Sequence, residues 1–181
     1  DHDQKCHKKL KKLKNVNKRL HLNLTELPSV KNNNPIISNL SFIKLLFIDE
    51  LKKQKILNEI DIQIKKFKKI YKPKELKIDG HEHIHMIPWI LEYLLKKKKY
   101  YKIKELRNAN EQLMLPRLID LFNLKYIRNF IACIIVKILY NLKEKPKMNS
   151  PYFAGLLYSG MQNVETIKKT LIFFRKKKFK N

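Results

Sequence analysis

The run Lys77-Ile78-Asp79-Gly80-His81-Glu82-His83-Ile84-His85-Met86-Ile87-Pro88-Trp89 constrains this chain more than any other stretch. It holds three of the six histidines, one of the three glycines and the only tryptophan. Leu76 to Asp79 reads as a short strand leading in, and Pro88 is suited to the first turn of the helix that follows. Were the strand to continue, side chains would alternate between faces. Asp79, His81, His83 and His85 would then point one way, Glu82 and Ile84 the other. Three imidazoles and a carboxylate on one surface form a metal or proton-transfer site. Were the stretch helical, only His81 and His85 would share a face. The plainer alternative is two structural histidines with satisfied hydrogen bonds and one exposed neighbour.

The rest of the chain alternates strands and helices. Gln4 to Lys18 reads as a short basic surface helix, with His2 and His7 on the surface. Arg19 to Glu26 alternates cleanly, with Leu20, Leu22 and Leu24 on one side and His21, Asn23 and Thr25 on the other, as expected for a strand with one polar face. Residues 31–40, with four asparagines and a proline, read as a loop. A long helix is predicted from about Ser41 to Tyr71, on the spacing of Ile48, Leu51, Ile56, Ile60, Ile64, Phe67 and Ile70. The helix opened by Pro88 ends in Lys96 to Lys99, a favourable charge for the helix dipole. Tyr101 to Leu106 is a further strand, delivering Arg107-Asn108-Ala109-Asn110-Glu111. Residues 116–143 are predicted helical with a break near Asn123, and Glu144 to Ser150 a loop. Tyr152 to Gly160 reads as a strand and a glycine-marked turn, and Asn163 caps a last helix ending in Arg175-Lys176-Lys177-Lys178. This alternation predicts an α/β fold with a parallel sheet or barrel.

Charge narrows the function classes. The formal net charge is +25, yet only five of the 41 basic residues are arginine. Readers of nucleic acid favour arginine for bidentate contacts, so no specific nucleic-acid partner is expected. A solvated lysine surface is the main reading, with weak attraction to an anionic membrane surface or an anionic substrate beside it. Cys6 and Cys133 lie far apart without CxxC spacing, which argues against a disulfide framework and fits a reducing cytoplasm. The most apolar run, Phe130 to Tyr140, is interrupted by Lys137 and is too short to cross a bilayer.

Four segments together resemble the YdjC-like carbohydrate deacetylases. Asp79-Gly80-His81-Glu82-His83-Ile84-His85-Met86-Ile87-Pro88 is similar to that family's Asp-(Ser/Gly)-His-x-His-x-His-Met-x-Pro signature. His21-Leu22-Asn23-Leu24-Thr25 resembles its His-Leu-x-Leu-Thr segment. Arg107-Asn108-Ala109-Asn110-Glu111 sits where the family has Arg-x-x-x-Glu, and Phe153 to Gly160 resembles its Phe-x-Gly-x-x-x-Ser-Gly turn. The resemblance implies a distorted TIM-like (β/α) barrel that removes acetyl groups from N-acetylated sugars or oligosaccharides with a divalent metal, usually Mg²⁺. It implies His21 and His81 as metal ligands. His83, His85 and Asp79 are given pocket or supporting roles; Arg107 and Glu111 are expected either to contact substrate hydroxyls or to pair with each other. A third ligand in the family is an aspartate from an Asp-Asp-Phe-Gly segment that this sequence does not contain; a late His-Pro is also missing.

The expectation is therefore a single YdjC-like domain over 1–181, truncated at both ends, folded as an incomplete barrel, since a full (β/α) barrel takes about 250 residues. Two histidines without their carboxylate should hold a hard cation weakly. The competing expectations are a non-catalytic basic binding module or degenerate family member, and a hydrolase of another acyl group on the same scaffold. The sequence leaves oligomerisation open.

Overall fold

Three short strands, β1 (Leu20–Leu22), β2 (Leu76–Gly80) and β3 (Ile103–Leu106), pair in parallel in the order β1-β2-β3. They belong to a computed structural model that describes residues 7–10, 12–13, 16–25, 44–114, 118–141 and 153–178. Two compact units divide the chain, Asp1–Arg107 and Asn108–Asn181. The first holds the sheet. Leu20, Leu22 and Leu24 turn inward while His21 is exposed, as the alternation predicts. The predicted strand is cut short, because the Asn23 carboxamide turns the chain by accepting the Thr25 N–H at 3.1 Å.

Helix α1 (Glu50–Tyr71) packs against β1 and buries Ile56, Ile60, Ile64 and Phe67. It begins later than its apolar spacing suggests. The Asp49 side chain accepts the Lys52 N–H at 2.8 Å and so fixes the start, while Lys44–Leu46 forms a separate 3₁₀ turn. Left-handed Lys72 closes the helix before Pro73. Helix α2 (Pro88–Lys96) opens on its proline and buries Ile90, Leu91 and Leu94; the short α3 (Lys98–Tyr101) follows and contacts β3. The Trp89 indole N–H donates to the Leu45 carbonyl at 2.9 Å. His7, expected on the surface, is half-buried and hydrogen-bonded to the Tyr71 hydroxyl.

In the second unit, a 3₁₀ turn (Leu118–Phe122) precedes helix α4 (Leu124–Asn141), with the break at Asn123 where the sequence placed it. Helix α5 (Val164–Lys178) is capped as expected: the Thr166 N–H donates to the Asn163 side chain at 2.8 Å. Met114, Tyr126, Cys133, Leu157 and Tyr158 form the core, with Phe130 and Phe173 against it. The strand expected over Tyr152 to Gly160 is corrected: 153–155 are irregular and 157–160 are turn. The N–H groups that a sheet ladder would need are taken by a carboxylate described below. The loops expected at 31–40 and 144–150 lie outside the described residues.

The protein is thus mixed α/β with a small parallel sheet. Among the described residues, no helix is long and apolar enough to cross a membrane.

Candidate functional site

Register brings the first two site residues together. His21 of β1 lies directly beside Asp79 of β2 in the ladder, and its Nδ1 is 3.4 Å from Asp79 Oδ2. Arg107 leaves the end of β3, where its own N–H donates to the Ile78 carbonyl, and its guanidinium lies 2.8 Å from that same Oδ2. Asp79 Oδ1 accepts the Gly80 N–H at 2.9 Å. A buried carboxylate is thus held between an imidazole and a guanidinium, which offsets the cost of burying its charge. The group stands at the carboxyl ends of parallel strands, where α/β sheets place their ligands.

The histidine run is not a strand. The ladder ends at Gly80, and His81–Met86 forms a tight turn in which Glu82 (φ 48°) and His83 (φ 58°) are both left-handed. Two successive non-glycine residues in that region cost on the order of 1–3 kcal/mol each, and such outliers cluster at functional sites. The expected one-face array of Asp79, His81, His83 and His85 is therefore corrected, because the turn breaks the alternation. His81 approaches His21, ring centroids 5.8 Å apart and edge to face. His83 is half-buried, 6.4 Å from the His85 ring.

His85 is fully buried. Its Nε2 lies 2.6 Å from the Arg107 carbonyl, and since a carbonyl only accepts, Nε2 carries the proton. The turn is thereby tied to the strand end that carries Arg107. Burial pushes both His83 and His85 below the ordinary 6.5, His85 to about 4. Asp79 pulls the other way on each, and the Arg107 carbonyl does so on His85.

A pH dependence follows. Below pH 6.5 the unfolded chain protonates His85 while the folded chain does not until about pH 4. The stability this residue contributes is therefore complete above pH 6.5 and is lost as pH falls toward 4. The expected loss is about 3 kcal/mol across that window. Urea unfolding between pH 7 and 4 measures it, and a His85→Gln variant should show a shallower decline. An equal slope in both proteins would assign the acid sensitivity elsewhere.

Glu111 lies in the second unit and is buried. Its Oε2 accepts three backbone N–H groups, from Gly155 at 3.1 Å, Leu156 at 2.6 Å and Leu157 at 3.0 Å. Sequence reasoning missed this arrangement, and it missed the Asp79–Arg107 pair. The first leaves no local signal, joining residues 44 to 46 apart. The second was foreshadowed only by an arginine directly after a strand.

The donor chemistry can be tested against a divalent metal. His21 and His81 are neighbouring imidazoles, and neutral imidazole is a common metal ligand. Asp79 already faces the Arg107 cation. Among the described residues, no three His, Cys, Asp or Glu side chains are grouped to hold an ion. The two histidines therefore fit a metal as two donors and not as a closed site.

Fold and site define a mixed α/β protein with an imidazole, carboxylate and guanidinium cluster at the strand ends of a parallel sheet. The family model of YdjC-like proteins matches residues 4–175, nearly the whole chain, and the chain belongs to that family. The family is related to the carbohydrate deacetylases. No curated protein and no solved structure matches the chain.

Proposed function

We propose that this chain is a metal-dependent hydrolase that removes the acetyl group from an N-acetylated carbohydrate. The observation that carries this reading is the meeting of His21 with Asp79 and His81 at the ends of β1 and β2. The sheet is read as part of an incomplete, distorted TIM-like barrel, and 1–181 as one YdjC-like domain. The proposed setting is cytoplasmic.

His21 and His81 would hold a divalent cation, Mg²⁺ in the family reading. Such an ion lowers the pKa of a bound water and polarises the amide carbonyl. The chain's own residues set the stage around it. Asp79 orients His21, and Arg107 pairs with Asp79 beside the imidazole. His83, held neutral by burial, can accept a proton and pass it on. Arg107 is half-exposed beside Asp79 and is proposed to contact a substrate hydroxyl. Glu111 is proposed as a substrate contact on the family resemblance alone.

Isothermal titration with Mg²⁺ and an assay of acetate release from N-acetylated oligosaccharides test the proposal. His21→Ala and His81→Ala are each expected to weaken metal binding about a hundredfold and to abolish acetate release. Unchanged metal affinity in both variants removes the proposed site.

A second reading is a degenerate, non-catalytic member that binds polyanions, favoured by the absence of a three-ligand group among the described residues and by the charge of +25. It predicts no acetate release and a strongly salt-dependent association with nucleic acid or acidic lipid. Failure to bind either at low salt sinks it.

A further inference from the structure

We infer that the second unit carries a pocket for a single sugar ring, formed around Glu111, Tyr158, Gln162, Thr166 and Thr170. The inference rests on the carbohydrate reading above for the class of ligand, and on the pocket's own chemistry for its recognition.

The cavity measures about 250 Å³. At roughly 30 Å³ per water, that is the room of about eight waters, which suits one pyranose ring. Ala154, Gln162, Ile167 and Leu171 line it and are exposed, so it opens to solvent.

Its polar groups are acceptors, apart from the Gln162 carboxamide, which also carries N–H donors. Glu111 is 3% exposed, and the three backbone donors from Gly155 to Leu157 all fall on Oε2; Oε1 takes none of them. The Thr166 hydroxyl donates to the Asn163 carbonyl at 2.9 Å, and the Thr170 hydroxyl to the Thr166 carbonyl at 2.8 Å. Thr166 Oγ1 also accepts the Asn163 N–H at 2.9 Å, so the Thr170 hydroxyl, its proton committed, is the one that offers its lone pairs to a ligand. Tyr158 donates its hydroxyl to Asp120 Oδ2 at 3.0 Å, so its ring is what it presents. A small pocket with a fixed carboxylate, an acceptor hydroxyl, a carboxamide and an aromatic wall suits a ligand rich in O–H or N–H groups with an apolar ring face. A sugar ring has those features.

Amide chemical shifts of the full chain, titrated with N-acetylglucosamine, test the inference. Saturable shifts are expected at Gly155, Leu156 and Leu157, the amides that report on Glu111. Ile167→Trp, a substitution at an exposed lining position, should fill the mouth and weaken the effect about tenfold or more; Ala154→Trp does the same from another exposed position. His81→Ala should leave the shifts as they are, since no pocket residue is altered. Unmoved amides, or shifts that persist undiminished in both tryptophan variants, overturn the pocket. Acetate release without these shifts would leave the deacetylase reading standing and the pocket refuted. Shifts without acetate release would do the reverse.

Discussion

Gly80→Ala is expected to lower the unfolding free energy by about 4 kcal/mol, combining overpacking with damage to a buried hydrogen bond. The backbone is not the reason, because Gly80 is extended at φ −143°, a conformation any residue adopts. Space is the reason. A Cβ there would lie 2.6 Å from His85 Nδ1, 3.1 Å from the His85 backbone nitrogen and 3.1 Å from Ile84 Cγ1. His85 and Ile84 are both buried, and the His85 ring is held at its other nitrogen by the Arg107 carbonyl. Interiors packed at crystal density transmit such a push instead of absorbing it. The ring must leave its carbonyl partner or the turn must move, and either shift carries Arg107 away from Asp79. Denaturant unfolding of Gly80→Ala, His85→Ala and the double variant gives the measurement. The double variant should lose much less than the sum of the singles, because removing the ring removes the closest contact. A cost below about 1 kcal/mol, or strict additivity, would show that the turn yields where packing says it cannot.

What could be read from the residues, and what could not, divides by range. The Leu20, Leu22, Leu24 alternation and the exposure of His21 follow from period-two patterning, and the structure keeps them. Pro88 opening a helix, the break at Asn123 and the Asn163 cap are local chemistry, and they too appear where expected. The left-handed pair at Glu82 and His83 had no such signal. Alternation of the histidines favoured a strand, but His85 finds its partner at Arg107, 22 residues on, and the chain must turn to deliver it. The start of α1 was missed because apolar spacing runs on through Ile48, while one aspartate side chain decides the boundary. The approach of His21 to His81 could not be derived from spacing. It came from resemblance, and the register of β1 on β2 now gives it a physical cause.

Glu111→Ala is expected to be the most damaging change in the second unit, at about 4–5 kcal/mol. Charge-assisted hydrogen bonds contribute roughly 1.5–3 kcal/mol each, and three donors that share one oxygen fall short of three full contributions. The cost is asymmetric. Alanine removes the acceptor and leaves the N–H groups of Gly155, Leu156 and Leu157 without it, and Leu157 is completely buried in the unit's core. Water can reach the half-buried Gly155 and Leu156 but must enter the core to serve Leu157. The loop would then let go of Tyr158, whose ring packs against Tyr126 at 5.6 Å between centroids. Glu111→Gln keeps a carbonyl oxygen in place and loses the charge, so it should cost about 1–2 kcal/mol. Hydrogen exchange reads the mechanism directly. In Glu111→Ala the three amides should lose protection ahead of the helix α4 amides, whereas in Glu111→Gln they should keep most of it. Equal stability losses in the two variants would mean that the side chain acts through its charge and not as the shared acceptor of the loop.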